Sequence, residues 1–324
     1  MKQLSLAEDV GGLFRREKAT RREKFLGEMD AVIPWTVQCA RIAPFYAKGP
    51  GPKGGRPPHS LERMLRIHYL SLFFNLADEA MEEALYEQPL LRRFVGLDAG
   101  ADAIPDATTI LLFRHLLERQ GLSQGLFDDV QALLREKGLL LKTATIIDAT
   151  LIAASPSTKN QLRERDPDMH SSKKGNQWYF GAKCHIGIDA DSGAVHSHTF
   201  TSGNVADNAE LPNLLHGEER LVLGDGGYHQ NDRVVGNDTP TLTQAAMWTP
   251  HKKKAGQNLT AAQRGANTGL AQLRSKVEHI FRIVKCQFGY RKVRYWGLEK
   301  NGAHVTRLLM ASNLYLLRVP LAQT

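Results

Sequence analysis

Three acidic residues stand where packing or solvation alone explains a carboxylate poorly. Asp148 lies inside the apolar run Ile146-Ile147-Asp148-Ala149-Thr150-Leu151. An ionised side chain is costly there unless something compensates it, and strand interiors are depleted in Asp. Asp225 follows Leu221-Val222-Leu223 directly, in Gly224-Asp225-Gly226-Gly227. Asp-Gly is an ordinary turn dipeptide, yet the carboxyl ends of α/β strands are where sites collect. Glu278 belongs to the stretch 270–290, LAQLRSKVEHIFRIVKCQFGY. That stretch reads as one amphipathic helix, with Leu270, Leu273, Val277, Ile280, Val284 and Phe288 forming an apolar stripe. At about 100° per residue, Arg274, Glu278 and Lys285 fall within about 40° of one another beside the stripe. Taken alone, Glu278 reads better as an ordinary solvated ion-pair partner of Arg274.

Two acids on strands and a third on a packed helix can converge near one sheet edge. Oxygen-only ligation favours Mg²⁺ or Mn²⁺. Two such ions ~3.5–4 Å apart activate a water or a 3′-hydroxyl and stabilise the leaving oxygen of an in-line displacement at phosphorus. A competing arrangement is a zinc or manganese site in which His196 and His198, alternating on one strand, join His185 across a hairpin. Histidines on a half-exposed strand are more often simple polar-face residues.

Charge distribution favours the phosphorus chemistry. The net charge is +8 over 324 residues. Between His251 and Lys300 there are 12 Lys and Arg against the two acids Glu278 and Glu299, so the rest of the chain is slightly acidic. A basic concentration around one helix is the footprint expected for a nucleic acid. Lys173, Lys174, Lys183, Arg274, Lys285, Arg291 and Arg294 are candidate phosphate contacts. Trp178, Tyr179 and Trp296 are candidates for base stacking, with core packing the commoner fate of such residues. Cys39, Cys184 and Cys286 are widely separated and form no C-x-x-C pair, which excludes a disulfide framework and fits a reducing compartment. No apolar run has membrane length, and Glu8 and Asp9 come too early for a signal peptide. A cytoplasmic, nucleoid-associated protein is expected.

The elements that would position these residues follow in order. Residues 1–46 read as partly helical, with Thr20-Arg21-Arg22-Glu23 at capping-box spacing and Pro34 interrupting. Residues 47–60 are a Gly/Pro-rich arm or linker. Residues 61–138 are all-α, with Ser60, Asp78, Asp106 or Thr108, and Ser123 as helix starts and Gly121 and Gly138 as stops. This region suits DNA-end binding and dimerisation equally. From 139 to 324 the pattern becomes α/β. LLLKTATIIDATLI reads as a buried strand and 155–174 as a polar loop. WYFGAKCHIGID and AVHSHTFTS form a hairpin turned at Asp191-Ser192-Gly193, and Asp207 caps a helix through Leu215. RLVLGDGGYH and AAMWTP supply two more strands before the basic helix, giving a mixed sheet.

These motifs together resemble bacterial insertion-sequence transposases of the DDE type, in the group founded on insertion sequence five. The resemblance runs through PFY and the Gly/Pro arm, SLERMLRIHYL, NLADEAMEEALYE, PDATTILLFRHLLE, IIDATLI, STKN, RDPDMH, KKGNQWYFGAKCHIGIDADSG, LLHGEE, GDGGY and VEHIFRIVKCQFGYRKVRY. It implies a ribonuclease-H-like catalytic domain with a mixed sheet, preceded by the all-α region. It also implies an Asp148, Asp225, Glu278 triad holding two Mg²⁺ or Mn²⁺ ions. The implied activity is recognition of terminal inverted repeats, end cleavage and joining of 3′-hydroxyls to target DNA by a homodimer or higher oligomer. Arg274, Glu278 and Lys285 fit the related signature Tyr-x2-Arg-x3-Glu-x6-Lys, but Ala271 takes the tyrosine position. Two other functions remain open: an element-derived DNA-binding protein or repressor without catalysis, and a structure-selective nuclease on the same fold.

Overall fold

The shift from helical to β-branched patterning near Leu139 divides the architecture. The computed structural model describes residues 18–46, 57–98, 102–141, 143–161, 163–228, 246–253 and 258–323, with the backbone alone at Lys174 and Ala246. Most of the Gly/Pro arm, 47–56, therefore lies outside the described residues. The chain separates into two units, Met1–Leu122 with Arg318–Thr324, and Ser123–Leu317.

The first unit is helical: α1 (Arg21–Val32), α2 (Trp35–Ile42), α3 (Leu61–Phe74), α4 (Asp78–Glu87), α5 (Pro89–Val95) and α6 (Ala107–Arg119). Short polar residues set the starts. Thr20 and Glu23 close a reciprocal capping box on α1, the Ser60 hydroxyl accepts from the Arg63 amide at 3.3 Å, and Asp106 accepts from the Thr109 amide at 2.6 Å. Asp78 is no cap; Ala77 takes that position, and the Asp78 carboxylate pairs with Arg114 at 2.8 Å. Met29, Leu65, Tyr69, Leu70 and Leu85 are fully buried. The Tyr69 hydroxyl donates to buried Gln38 at 2.8 Å, so this polar pair is bonded within the core.

The second unit begins with α7 (Leu122–Glu136), which buries Leu126, Phe127, Val130 and Leu134, residues spaced for one helical face. Its strands are β1 (Ala144–Ala153), β2 (His170–Lys174), β3 (Gln177–Asp189), β4 (Val195–Ser202), β5 (Leu221–Leu223) and β6 (Ala246–Trp248). They form one sheet in the order β2-β3-β1-β5-β6, with β4 paired to β3 beyond the stretch that β2 occupies. β1 is antiparallel to β3 and parallel to β5, and β5 is parallel to β6. The sheet is mixed, as the sequence leads one to expect. Short α8 (Leu211–Leu214) packs under β4, and α9 (Ala261–Arg282) and α10 (Leu298–Gln323) complete the order. No described helix is long and apolar enough to cross a membrane.

Five local expectations change. The polar stretch 155–174 contains β2, whose ladder with the exposed half of β3 needs no apolar face. The helix read from Leu270 starts at Ala261, because Thr260 and Gln263 form a capping box nine residues earlier. It does not reach Tyr290; after Arg282 the chain makes a π-turn over Ile283–Gln287, with the Phe288 amide bonded to the Ile283 carbonyl at 2.8 Å. Leu273 is outside the buried stripe, at 45% exposure. Finally, Asp207 caps nothing: a short 3₁₀ turn, Asp207–Glu210, follows Ala206 at the cap position, with no side-chain cap bond.

Candidate active site

Strand register brings the two strand acids to one level. β1 and β5 pair Ala144 with Leu221, Thr145 with Val222 and Ile146 with Leu223. Asp148 and Asp225 each lie two residues beyond the last pair, Asp148 within β1 and Asp225 in the turn that leaves the parallel β5. On β1, Asp148 and Thr150 share a face by strand alternation, and α9 with its π-turn covers that face. Arg274 reaches the Asp148 Oδ2 at 3.3 Å, and the Lys285 ammonium donates to the Thr150 hydroxyl at 2.6 Å and the Leu151 carbonyl at 2.7 Å. Glu278 follows Arg274 by one helical turn, about 40° round the axis. It is exposed and makes no hydrogen bond to another described residue.

Asp148 is short of positive charge. Burial is the main reason its carboxyl is pushed up to about 6; the charges of Asp225 and Asp207 add to the rise. The Ala149 amide, which donates to Oδ1 at 2.8 Å, and Arg274 oppose it. The Asp225 Oδ1 accepts from the Gly227 amide at 2.7 Å.

A third carboxylate, unanticipated in this role, joins them. A Cβ on Gly227 would stand 2.9 Å from the Asp225 Oδ1 and 3.7 Å from the Asp207 Oδ2, so the two acids border one small space. Asp207 also accepts from the Lys183 ammonium at 2.9 Å. The Tyr228 phenol is fully buried among Ile147, Leu211, Leu214 and Val222. Burial and the charges of Asp207, Asp148 and Asp225 together raise its pKa. The acids are electrostatic neighbours rather than a closed cage: among the described residues no group of three His, Cys, Asp or Glu is arranged to hold a metal.

Residues 140–314, more than half the chain, match the family described as Transposase DDE domain. The chain belongs to the DDE transposase family. Residues 14–116 match a second family, Transposase domain (DUF772), so both ends of this transposase match transposase families. No solved structure matches it.

The expected phosphate contacts divide into two groups. Lys183 and Lys285 are engaged, the first with Asp207 and the Val205 carbonyl and the second with β1. Arg274 is taken by Asp148, with 20% of each side chain exposed. Lys173 is exposed, while the Lys174 side chain lies outside the described residues. Arg291 is exposed and donates to the Lys285 carbonyl at 3.0 Å; Arg294 is half-buried. Trp178 is 69% exposed and Trp296 45%, so neither is a core residue. The histidines do not pool on a metal: His185 bonds Thr201 at 2.9 Å, His196 bonds Thr145 at 3.0 Å and His198 bonds Thr306 at 2.7 Å.

Proposed function

We propose that this chain is the transposase of an insertion sequence in the group founded on insertion sequence five, and that Asp148, Asp225 and Glu278 hold Mg²⁺ or Mn²⁺ for phosphodiester cleavage and joining. The observation that carries the reading is the matched level of Asp148 on β1 and Asp225 just past the end of the parallel β5, with Arg274 reaching Asp148 from the helix that carries Glu278. The donor set fits the ions. All three are hard oxygen donors, and the half-buried Asp148 keeps a carboxyl pushed up to about 6 even with Arg274 beside it, so its charge is only partly compensated. A bound pair of divalent ions supplies Lewis acidity to the attacking and leaving oxygens.

The chain's own residues do the rest. The Gly227 amide fixes the Asp225 carboxylate, and the Ala149 amide fixes one oxygen of Asp148. Lys285 anchors the π-turn to β1 and so holds the register of the helix bearing Arg274 and Glu278. Arg274, once a stronger cation competes for Asp148, is the nearest guanidinium for a DNA phosphate. Exposed Lys173 and Arg291, with Trp178 and Trp296, supply the outer phosphate and base contacts, and half-buried Arg294 adds to them. The sheet order, three antiparallel strands followed by two parallel ones, supports a ribonuclease-H-like domain over 139–324. The helical region 61–138 then serves end binding, dimerisation or both, in a homodimer or higher oligomer on inverted-repeat DNA.

Single Asp148→Asn, Asp225→Ala and Glu278→Gln proteins are expected to bind end-containing DNA and fail to cleave or join it in Mg²⁺. Undiminished joining by Asp225→Ala would sink the triad, and cleavage without joining or repeat dependence would identify a nuclease instead.

A further inference from the structure

Asp207 has no role in the triad, yet its surroundings are those of a ligand. It opens the 3₁₀ turn that follows the loop after β4, and it does not cap that turn. One carboxylate oxygen, Oδ1, accepts from Lys183. The other, Oδ2, borders the space above Gly227 that the Asp225 Oδ1 also borders. Strand alternation sets Lys183 and His185, opposite Leu151 and Ala149, on the sheet face away from Asp148 and Thr150. Asp207 therefore approaches Asp225 from the side that α9 does not cover.

Two buried polar atoms in this part of the site have no hydrogen-bond partner among the described residues. The His185 Nδ1 lies 3.9 Å from the Asp207 Oδ1, with its side chain fully buried. The Tyr228 hydroxyl is equally buried, and its phenol feels the charge of Asp207 first among the three acids. Unsatisfied buried groups of this kind are costly to the fold, and such orphans mark places where water or an ion belongs. A hydrated divalent cation brings both the charge for the acids and the waters for these atoms.

Resting on the metal-site reading above, we infer that Asp207 is a further oxygen ligand for a divalent ion on the Asp225 side of the site, with Lys183 as the counter-ion that orients its carboxylate and competes with the metal. Lys183 is then a positioning residue, and removing it has the opposite effect on the ion from removing Asp207. A purely structural ion pair predicts the reverse: either substitution breaks the same bond and has the same consequence.

The test is Mn²⁺ binding to the full chain, by calorimetry and by electron paramagnetic resonance of free Mn²⁺, without DNA. Asp207→Asn is expected to weaken Mn²⁺ binding roughly tenfold or more, Asp207→Glu to restore most of it, and Lys183→Met to leave it equal or tighter. The Glu variant separates lost ligation from lost folding, and melting curves of each protein check the same point. Asp225→Ala reports on the underlying site and is expected to lose Mn²⁺. If Asp225→Ala loses Mn²⁺ while Asp207→Asn binds like the wild type, the inference falls and the metal site stands. Equal weakening by Asp207→Asn and Lys183→Met also overturns it, in favour of a structural pair. Wild-type binding by Asp225→Ala removes the site reading and the inference with it.

Discussion

Asp148 should cost the fold stability for as long as it is charged. Its carboxyl rises from 3.8 in the unfolded chain to about 6 in the fold, chiefly through burial. A difference of that size makes the ionised form about 3 kcal/mol less favourable than the neutral one. The sign follows from proton counts. Between pH 4 and 6, roughly, the folded protein holds a proton that the unfolded chain has released, so stability falls as pH rises through that window. Above it the full penalty is present. Asp148→Asn removes the charge and keeps an oxygen to accept from the Ala149 amide. In chelator at pH 8 it should therefore be more stable than the wild type by up to about 3 kcal/mol, with the gain shrinking toward zero near pH 4. Urea unfolding across that range, followed by a probe of the second unit, measures the difference. Added Mg²⁺ should narrow the gap by stabilising only the wild type. A variant less stable than the wild type at pH 8, or a gap that ignores pH, would refute the reasoning: the carboxylate would then be compensated in the fold and the case for a missing cation would weaken.

Two other outcomes test the frame around the site. Lys285→Met deletes two hydrogen bonds from an ammonium to β1 and should lower the stability of the second unit by about 1.5–3 kcal/mol per charged bond lost at most; an unchanged melting temperature would show that Lys285 is not a tether. His198, half-buried beside Phe127, has its pKa pushed down to about 4 by desolvation, so its contribution to stability is lost as pH falls from about 6.5 toward 4. His198→Gln, neutral at every pH, should flatten the acid limb of a stability profile, and an identical limb would rule this histidine out as its cause.

How far the sequence reveals the site depends on whether a residue's partners are close in the chain. Asp148 and Asp225 were legible because their signals are local: a charge inside an apolar strand, and an acid at a strand end. The length of α9 was partly legible, since Thr260 and Gln263 have capping-box spacing; the Gly265 and Gly269 between them and the apolar stripe obscured the continuity. β2 offered little, because His170-Ser171-Ser172-Lys173-Lys174 has no apolar face and becomes a strand only through its backbone pairing. α10 was passed over although Val305, Leu308, Leu309, Leu314 and Leu317 recur at helical spacing. Its burial is nearly continuous, and the polar groups that would seem to forbid that are bonded far away in sequence: Arg307 to Ser123 and Asn313 to Val195.

Asp207 shows the limit most clearly. In sequence it precedes Leu211 and Leu214 as a helix cap would, and local capping is the commonest use of an Asp in that position. What displaces that reading is sheet register. The β3–β4 ladder pairs Lys183 with Thr201, which brings the end of β4 near the Lys183 ammonium. The parallel β1–β5 pair sets Asp225 beside Asp148. Neither pairing is encoded near Asp207, so a carboxylate with an obvious local use acquires a charged partner and two acidic neighbours only when the sheet closes. An acid placed by long-range pairing and left with one oxygen toward the site is a better ligand candidate than its local sequence suggests. Glu278 presents the converse case: its helical phase beside Arg274 is legible at once, while the fold leaves it exposed on α9.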